Sequence, residues 1–184
     1  DEEAVEATIP VIEQEVGPID ILVNNAGIIK RIPILEMKAG EFSQVLDVNL
    51  SGPFIMAKAV ARGMIERGQG KIINMCSMMS ELGRNTVSAY AASKGGMVSL
   101  GRSVARSFGK SNIKAFMLAP GFTKTKMAGQ FIEDHGEKRL LDELALAELT
   151  TPKDIAPLVG FMCSGMMDHA TGATIDVNAG SHIR

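Results

Sequence analysis

Three short apolar runs, each ending in small or polar residues, most constrain how this chain can fold. The runs cover residues 19–23, 71–76 and 113–119, and they are followed by Asn24-Asn25-Ala26-Gly27, Ser77 and Pro120-Gly121. Runs of this length predict buried strands, and the longer stretches between them predict helices. Strands that alternate with helices form a parallel sheet, which binds ligands at the carboxyl ends of its strands. The sequence therefore predicts an α/β fold whose functional residues follow the strands.

The only tyrosine of the chain, Tyr90, stands four residues before Lys94. On a helix these two residues share a face and lie about 6 Å apart along the axis. A neighbouring ammonium favours the phenolate, so we expect the pKa of Tyr90 to fall below its usual value of about 10. The phenol could then exchange a proton near neutral pH. Taken alone, the pair also fits a half-buried tyrosine beside a surface lysine.

Further motifs accompany this pair in a fixed order. Asn24-Asn25-Ala26-Gly27, Asn49, Ser77 and Pro120-Gly121 stand around the Tyr90–Lys94 pair. In this order and spacing, the sequence resembles the short-chain dehydrogenase/reductase family over essentially its whole length. The resemblance implies a Rossmann-like, doubly wound parallel sheet. It also implies an oxidoreductase that uses NAD or NADP to interconvert a secondary alcohol and a ketone.

The same resemblance implies a role for each matched position. Tyr90 would be the general acid/base on the substrate oxygen, and Ser77 would donate a hydrogen bond to that oxygen. Lys94 would hold the phenolate charge and the nicotinamide ribose, and Asn49 would anchor a water in a proton relay behind it. Besides Tyr90 and Lys94, the residues expected to flank the cofactor are Asn25, Ala26, Gly27, Pro120, Gly121, Thr123 and Thr125. The hydride itself belongs to the nicotinamide.

The sequence departs from the family pattern at its start. It opens inside a stretch that predicts the helix before the first apolar run, and it contains no Gly-rich phosphate loop upstream of that run. Family members place two overlapping βαβ units there, which take roughly 60 residues. We therefore expect residues 1–184 to be a single partial Rossmann-like domain, the C-terminal portion of a longer enzyme, and to be inactive alone.

Composition narrows the class of protein further. Apolar residues make up 46% of the chain, but no run reaches the roughly 18 residues of a membrane helix. A net charge of −2 without a basic block argues against nucleic acid and membrane as partners.

Two distant cysteines favour reduced thiols in a cytoplasmic protein, and three scattered histidines predict no metal site. We expect a small-molecule substrate, and the family resemblance implies a homodimer or homotetramer.

Periodicity and end signals predict the remaining elements. Helices are predicted over residues 2–16, 41–66, 88–109 and from Thr151 onward, with strands over 20–24, 71–76, 113–119 and 173–178, an active-site loop over 77–87, and two short helices with a loop over 122–149. The long helix 41–66 carries Asn49, and Pro53 predicts a kink in it.

Two stretches indicate a substrate class. Residues 24–33 and 76–84 resemble the same stretches of gluconate 5-dehydrogenases, a group within the family. A sugar acid needs a partner for its carboxylate, and Arg31 is the natural candidate because a guanidinium can bind both oxygens. Met79 would line the substrate pocket, since methionine suits adaptable sites. A surface charge at Arg31 and plain core packing at Met79 are the alternatives.

Two other hypotheses stay open. The resemblance to gluconate dehydrogenases fades after Met97, so a reductase of 3-oxoacyl or other keto substrates is the first. A non-catalytic fragment whose helices serve only assembly is the second, from a different class. The intact set of Asn49, Ser77, Tyr90 and Lys94 favours an enzyme, because a scaffold would not need all four.

Overall fold

Four parallel strands form the sheet of the computed structural model, which describes residues 1–183 without the side chains at positions 130 and 133–135. The strands are β1 (Ile21–Asn24), β2 (Gly70–Met75), β3 (Ile113–Pro120) and β4 (Thr174–Val177), and they lie side by side in that order. Val23 lies opposite Ile73, and Ile73 lies opposite Phe116. The predicted α/β class with a parallel sheet is confirmed.

Seven α-helices accompany these strands in the part of the chain that is described. They are α1 (Glu2–Glu15), α2 (Ala39–Leu46), α3 (Gly52–Arg67), α4 (Ser88–Phe108), α5 (Lys126–His135), α6 (Glu137–Leu141) and α7 (Pro152–Cys163). None of the described helices has the length and apolar character needed to cross a lipid bilayer.

Neighbouring strand residues pack against helices on opposite faces of the sheet. On one face, Ile72 and Ala115 join side chains of α1, α3 and α4 in a buried cluster. On the other face, Ile73 and Phe116 pack with Ile155 of α7. Burial of each large aliphatic or aromatic side chain contributes about 1.5–3 kcal/mol. Helices on both faces of the sheet give the doubly wound arrangement that was predicted.

Most predicted helix ends agree with the structure to within one or two residues. Helix α4 ends at Phe108, and Asn112 adopts the left-handed conformation at the end of the following turn, with φ 62°. Helix α7 begins with a capping box, in which the Thr151 amide and hydroxyl both donate to Asp154 Oδ2 at 2.7 Å. Such caps contribute about 0.5–2 kcal/mol, and they are readable from sequence because they are local.

The prediction that the first strand is buried holds for one of its two faces. Leu22 and Asn24 of β1 are buried, whereas Ile21 is 45% exposed and Val23 is 39% exposed. Among the described residues β1 pairs only with β2. Helix cover on one face alone produces the alternation of buried and exposed side chains that is seen.

The long helix predicted over residues 41–66 is confirmed as one helical run from Ala39 to Arg67, but its irregularity is a π turn upstream of Pro53. Helix α2 ends at Leu46, a π-helical turn covers Asp47–Ser51, and α3 starts at Gly52. A proline ring clashes with the carbonyl four residues earlier, here that of Asn49. The π turn widens the backbone at this point, where the Gly52 amide donates to the Asp47 carbonyl five residues back. The interruption therefore lies at Asn49, upstream of the proline that causes it.

Helix α4 lies unusually close to the sheet at Gly101. A Cβ atom at this position would lie 3.0 Å from Asn74 Nδ2 and closer still to the sulfur of Met117. The glycine therefore sets how deeply α4, with Tyr90 and Lys94, sits against β2 and β3.

We expect Gly101→Ala to be less stable than the matched variant Gly160→Ala by about 1–3 kcal/mol, the usual cost of over-packing a core. Both changes gain about 1 kcal/mol of helix propensity, but the Cβ position of Gly160 in α7 meets no atom within 4 Å. Chemical denaturation of both variants measures the difference. Equal stabilisation by both would contradict the close seating of α4.

Candidate active site

One cavity of about 550 Å³ opens where β1, β2 and β3 end and α4 begins. All of the predicted site residues except Asn49 line it, namely Asn25, Ala26, Gly27, Arg31, Ser77, Met79, Tyr90, Lys94, Pro120, Gly121, Thr123 and Thr125. The residues come from the segments that follow three neighbouring strands and from one helix. Their convergence is what a parallel sheet imposes on residues placed after its strands.

Tyr90 lies in the first turn of α4 and shares a hydrogen bond with the hydroxyl of Ser77. Ser77 follows β2, and its Oγ also accepts a hydrogen bond from the Met79 amide at 3.1 Å. Burial raises the pKa of Tyr90 above its usual value, while the bond to Ser77 and the charge of Arg31 oppose that rise only in part. The two hydroxyls therefore face the cavity as a neutral, hydrogen-bonded pair.

Lys94 does not lower the pKa of Tyr90, contrary to the expectation from their spacing. Its Nζ lies 5.8 Å from the centre of the Tyr90 ring and donates to the Met75 carbonyl at 2.6 Å. The side chain is 4% exposed, and burial lowers the pKa of Lys94 to about 8. Helical spacing predicts a shared face correctly, but it reveals neither the depth of burial nor the carbonyl toward which the ammonium turns.

Asn49 lies behind the cavity, fully buried in the π turn. Its Oδ1 accepts from the Ile28 amide at 2.8 Å, and its Nδ2 donates to the Ile28 carbonyl at 2.9 Å and to Ser93 Oγ at 3.0 Å. Ser93 Oγ in turn donates to the Tyr90 carbonyl at 2.7 Å. Asn49 thereby joins the segment after β1 to the helix that carries Tyr90.

The main-chain carbonyl of Asn49 is the group that could still serve a proton relay. Both side-chain hydrogens of this asparagine already have protein acceptors. Pro53 has no N–H, so it cannot give the Asn49 carbonyl the usual helical hydrogen bond. A relay water at Asn49 remains a prediction, and this oxygen is where we place it.

Two glycines allow close packing at the rim of the cavity. A Cβ on Gly27 would lie 3.2 Å from Asn49 Oδ1 and 3.6 Å from Lys94 Nζ. A Cβ on Gly121 would lie 2.8 Å from the Cα of Asn178, a backbone atom that cannot move aside cheaply. Both glycines therefore let the loops they belong to lie close against the residues behind the cavity.

The two threonines after β3 differ in how they are held. Thr123 Oγ1 donates to the Gly121 carbonyl at 3.1 Å, and Thr123 forms a parallel bridge with Thr150. Thr125 precedes α5, and its side chain makes no capping bond to that helix. Of the two hydroxyls, that of Thr125 is the better placed to reach a ligand.

The lining residues that sequence reasoning missed include Arg84, Phe122 and Phe131. The two phenyl rings stack with centroids 5.7 Å apart and planes 17° apart. Arg31 Cζ lies 4.9 Å from the centroid of Phe131, and Arg84 Cζ lies 5.3 Å from that of Phe122. Phe122 directly follows the Pro120-Gly121 turn, so its position after a strand was the available signal. Arg84 and Phe131 lie in segments whose path the local pattern does not predict.

The charge of the cavity wall is one-sided. Four basic side chains, those of Arg31, Arg84, Lys94 and Lys126, line the cavity, and no acidic residue stands among the described lining residues. The whole chain has a net charge of −2, so the positive wall is local. A concave surface lined by one sign of charge concentrates ligands of the opposite sign, so this cavity favours an anion.

Among the described side chains, no group of three or more His, Cys, Asp or Glu residues is arranged to hold a metal ion. Cys76 is buried beside the cavity, Cys163 is partly exposed, and no disulfide joins them.

The sequence is similar to known dehydrogenases and reductases. A family profile described as enoyl-(acyl carrier protein) reductase matches residues 1–182. A 2-dehydro-3-deoxy-D-gluconate 5-dehydrogenase from Formosa agariphila is 43% identical over 181 residues, which cover 97% of this chain and 69% of that protein. A 5-keto-D-gluconate 5-reductase from Escherichia coli K12 is 38% identical over 177 residues, covering 96% and 70%. A 3-oxoacyl-(acyl-carrier-protein) reductase from Vibrio cholerae is 35% identical over 181 residues, covering 98% and 74%.

The fold is similar to that of a solved gluconate 5-dehydrogenase from Burkholderia cenocepacia in complex with NADP and tartrate. The TM-score is 0.95 at 36% sequence identity, over 98% of this chain and 71% of that one. This match extends the sequence similarity to the arrangement of strands and helices.

The depressed pKa of Lys94 predicts a pH-dependent contribution to stability. The folded chain releases the Lys94 proton near pH 8, whereas the unfolded chain holds it to about pH 10.4. Between these values the unfolded state binds more protons, so stability rises with pH relative to a variant without this group. Against Lys94→Met, the wild-type chain should therefore gain about 2–3 kcal/mol between pH 7 and pH 10.

Denaturant unfolding of both proteins across that pH range measures this gain. Lys58→Met, at an exposed lysine, is the control for general effects of alkaline pH. A constant difference between wild type and Lys94→Met would show that Lys94 is not held in a desolvated site.

Proposed function

The chain belongs to the short-chain dehydrogenase/reductase family of oxidoreductases, and we propose that it acts with NAD or NADP on a sugar acid, oxidising a secondary alcohol or reducing the ketone, as in gluconate and 5-ketogluconate. One observation carries this proposal. Ser77, Tyr90 and Lys94 meet in a cavity that is lined by four basic and no acidic side chains among the described residues. The hydroxyl pair supplies the proton chemistry, and the positive wall suits a carboxylate.

The proton chemistry follows from the state of Tyr90. Because burial raises its pKa, the phenol is neutral at pH 7 and can give its proton to a carbonyl oxygen that is being reduced. Ser77, which lies beside the same phenol, can turn its one hydroxyl hydrogen to that oxygen and stabilise its developing charge. The charge of Arg31 favours the phenolate that is left behind. In oxidation the same groups act in reverse.

A nicotinamide dinucleotide would supply the hydride when bound. The segments that would hold it are those of Asn25-Ala26-Gly27 and of Pro120 to Thr125, which line the cavity. The solved gluconate 5-dehydrogenase in complex with NADP supports this assignment. The choice between NAD and NADP stays open in the proposal.

The choice of a sugar acid is supported by the relatives and by Arg31. Two similar proteins are named for derivatives of gluconate, and the similar solved structure was in complex with tartrate, itself a hydroxy acid. Arg31 lines the cavity, and its charge acts on the pKa of Tyr90. A guanidinium this near the acid/base residue can hold a carboxylate while a hydroxyl of the same small molecule reaches Tyr90.

A 3-oxoacyl substrate is the second candidate, favoured by the apolar part of the wall. Met78, Met79 and Met127 line the cavity with Phe122 and Phe131, and such side chains suit an acyl chain. A similar protein is named as a 3-oxoacyl-(acyl-carrier-protein) reductase. Assays of the full-length gene product with 5-ketogluconate and with a 3-oxoacyl thioester, each with NADH and NADPH, decide between the two. Turnover of the thioester alone would reject the sugar acid.

The proposal also covers oligomeric state, domain organisation and location in the cell. The family resemblance supports a homodimer or homotetramer, and a single domain over residues 1–184. The low cysteine content supports a cytoplasmic location.

Tyr90→Phe should lower the turnover number of the full-length enzyme by about 10²–10⁴-fold, because the phenol transfers the proton. Cofactor affinity should change little. Steady-state kinetics and a cofactor titration measure the two effects separately, with Phe108→Tyr as a control that adds a phenol at the far end of α4. Near-normal turnover would remove Tyr90 from the mechanism.

Arg31→Ala should raise the Michaelis constant for gluconate by about 10–100-fold, because a charge-assisted bond contributes about 1.5–3 kcal/mol. The constant for glucitol, the uncharged polyol, should change much less. The exposed Arg62, on α3 outside this cavity, provides the control Arg62→Ala. Equal effects of Arg31→Ala on both substrates would argue against carboxylate recognition by Arg31.

A further inference from the structure

We propose that Arg84 is a second specificity-determining residue, which binds the substrate carboxylate in exchange for Glu143. The proposal rests on the proposed function, because it concerns how the same cavity selects an anionic substrate. The surrounding contacts of Arg84 carry it.

The carboxylate that contacts Arg84 among the described side chains is that of Glu143. Arg84 Nη2 pairs with Glu143 Oε2, and both side chains are 36% exposed. Ion pairs that water reaches to this degree contribute little to stability. A carboxylate brought by a ligand can therefore replace that of Glu143 at small cost, since it restores the same charge-assisted bond.

The guanidinium of Arg84 is held by more than Glu143. Its Cζ lies 5.3 Å from the centroid of the Phe122 ring, a cation–π contact that holds the guanidinium near the ring independently of Glu143. Loss of Glu143 would therefore leave Arg84 beside Phe122 with its N–H groups available to a new acceptor. The stacked pair of Phe122 and Phe131 then carries a guanidinium at each end, with Arg31 over Phe131.

The segments that carry the two arginines are tied together. The Ile32 amide, next to Arg31, donates to the Thr86 carbonyl at 2.8 Å. Thr86 lies two residues after Arg84 and has a φ of 68°, a conformation that a β-branched residue seldom adopts. Arg31 and Arg84 thus approach the cavity from two connected loops, and both line it together with Tyr90.

Glu143 is the acidic partner of Arg84. It belongs to the turn after α6, and its carboxylate pairs with an arginine of a cavity whose described lining contains basic but no acidic side chains. Its carboxylate presents to Arg84 the same chemical group that a sugar acid would bring. On this view Glu143 competes with the substrate, whereas a purely structural ion pair would assist binding of every substrate equally.

Binding in a Tyr90→Phe background tests the proposal without turnover. Calorimetry on the full-length protein compares gluconate with uncharged glucitol. Arg84→Gln should weaken gluconate binding by about 10–100-fold and change glucitol binding by less than about threefold. Arg84→Lys should fall between, because it keeps the charge but loses the fork and the stacking. Glu143→Gln should tighten gluconate binding, and Glu148→Gln, an exposed neighbour in the same segment, should change nothing.

The outcomes separate this inference from the proposed function. Unchanged gluconate binding in Arg84→Gln, equal weakening of both ligands, or weaker gluconate binding in Glu143→Gln would each overturn the role of Arg84. Failure of the wild-type enzyme to turn over any sugar acid, with Arg84-dependent gluconate binding intact, would instead reject the proposed function and leave the anion site standing.

Discussion

The close packing of helix α4 against the elements around it is the constraint on which the site depends. Three glycines of this helix lie where a Cβ would crowd a neighbour: one on Gly95 would lie 3.2 Å from the Ser80 carbonyl, one on Gly96 would lie 2.8 Å from Leu50, and one on Gly101 would meet Met117 of β3. Each glycine costs a helix about 1 kcal/mol relative to alanine. The helix therefore sacrifices some intrinsic stability, and in return it packs closely against its neighbours. The same approach buries Tyr90 and Lys94, whose chemistry depends on that burial.

Desolvation, more than charge pairing, sets the protonation of the site. It raises the pKa of Tyr90 and lowers that of Lys94, and both shifts disfavour the charged forms. An acid that is neutral at pH 7 suits a group that must give up a proton during reduction. The charge of Arg31 acts in the opposite direction, because it favours the phenolate. Burial thus holds the proton on Tyr90, and positive charge in the cavity wall stabilises the negative charge that forms when the proton leaves.

Local sequence signals predicted most of the fold. The features that they did not predict depend on packing between residues that are far apart in the sequence. The capping box at Thr151, the end of α4 and the residues after each strand were readable, because each depends on neighbours in sequence. Three features could not be read from the sequence. The exposed face of β1 depends on which elements cover the strand, and the π turn at Asn49 depends on how a proline is accommodated. The pKa of Tyr90 depends on how deeply its side chain is buried. Arg84 escaped prediction for the same reason: its partners Phe122 and Glu143 are 38 and 59 residues away.

The π turn shows how one such long-range feature can couple the two halves of the site. Pro53 denies Asn49 an ordinary helical partner, and the widened backbone places its side chain between Ile28 and Ser93. Through Ser93 the hydrogen-bond path continues to the Tyr90 carbonyl. The loop with Gly27 and the helix with Tyr90 are therefore held in one register by hydrogen bonds that are wholly or partly shielded from water, and such bonds are costly to break. In the proposed function, a cofactor on that loop would meet Tyr90 in a position that these bonds already fix relative to the loop.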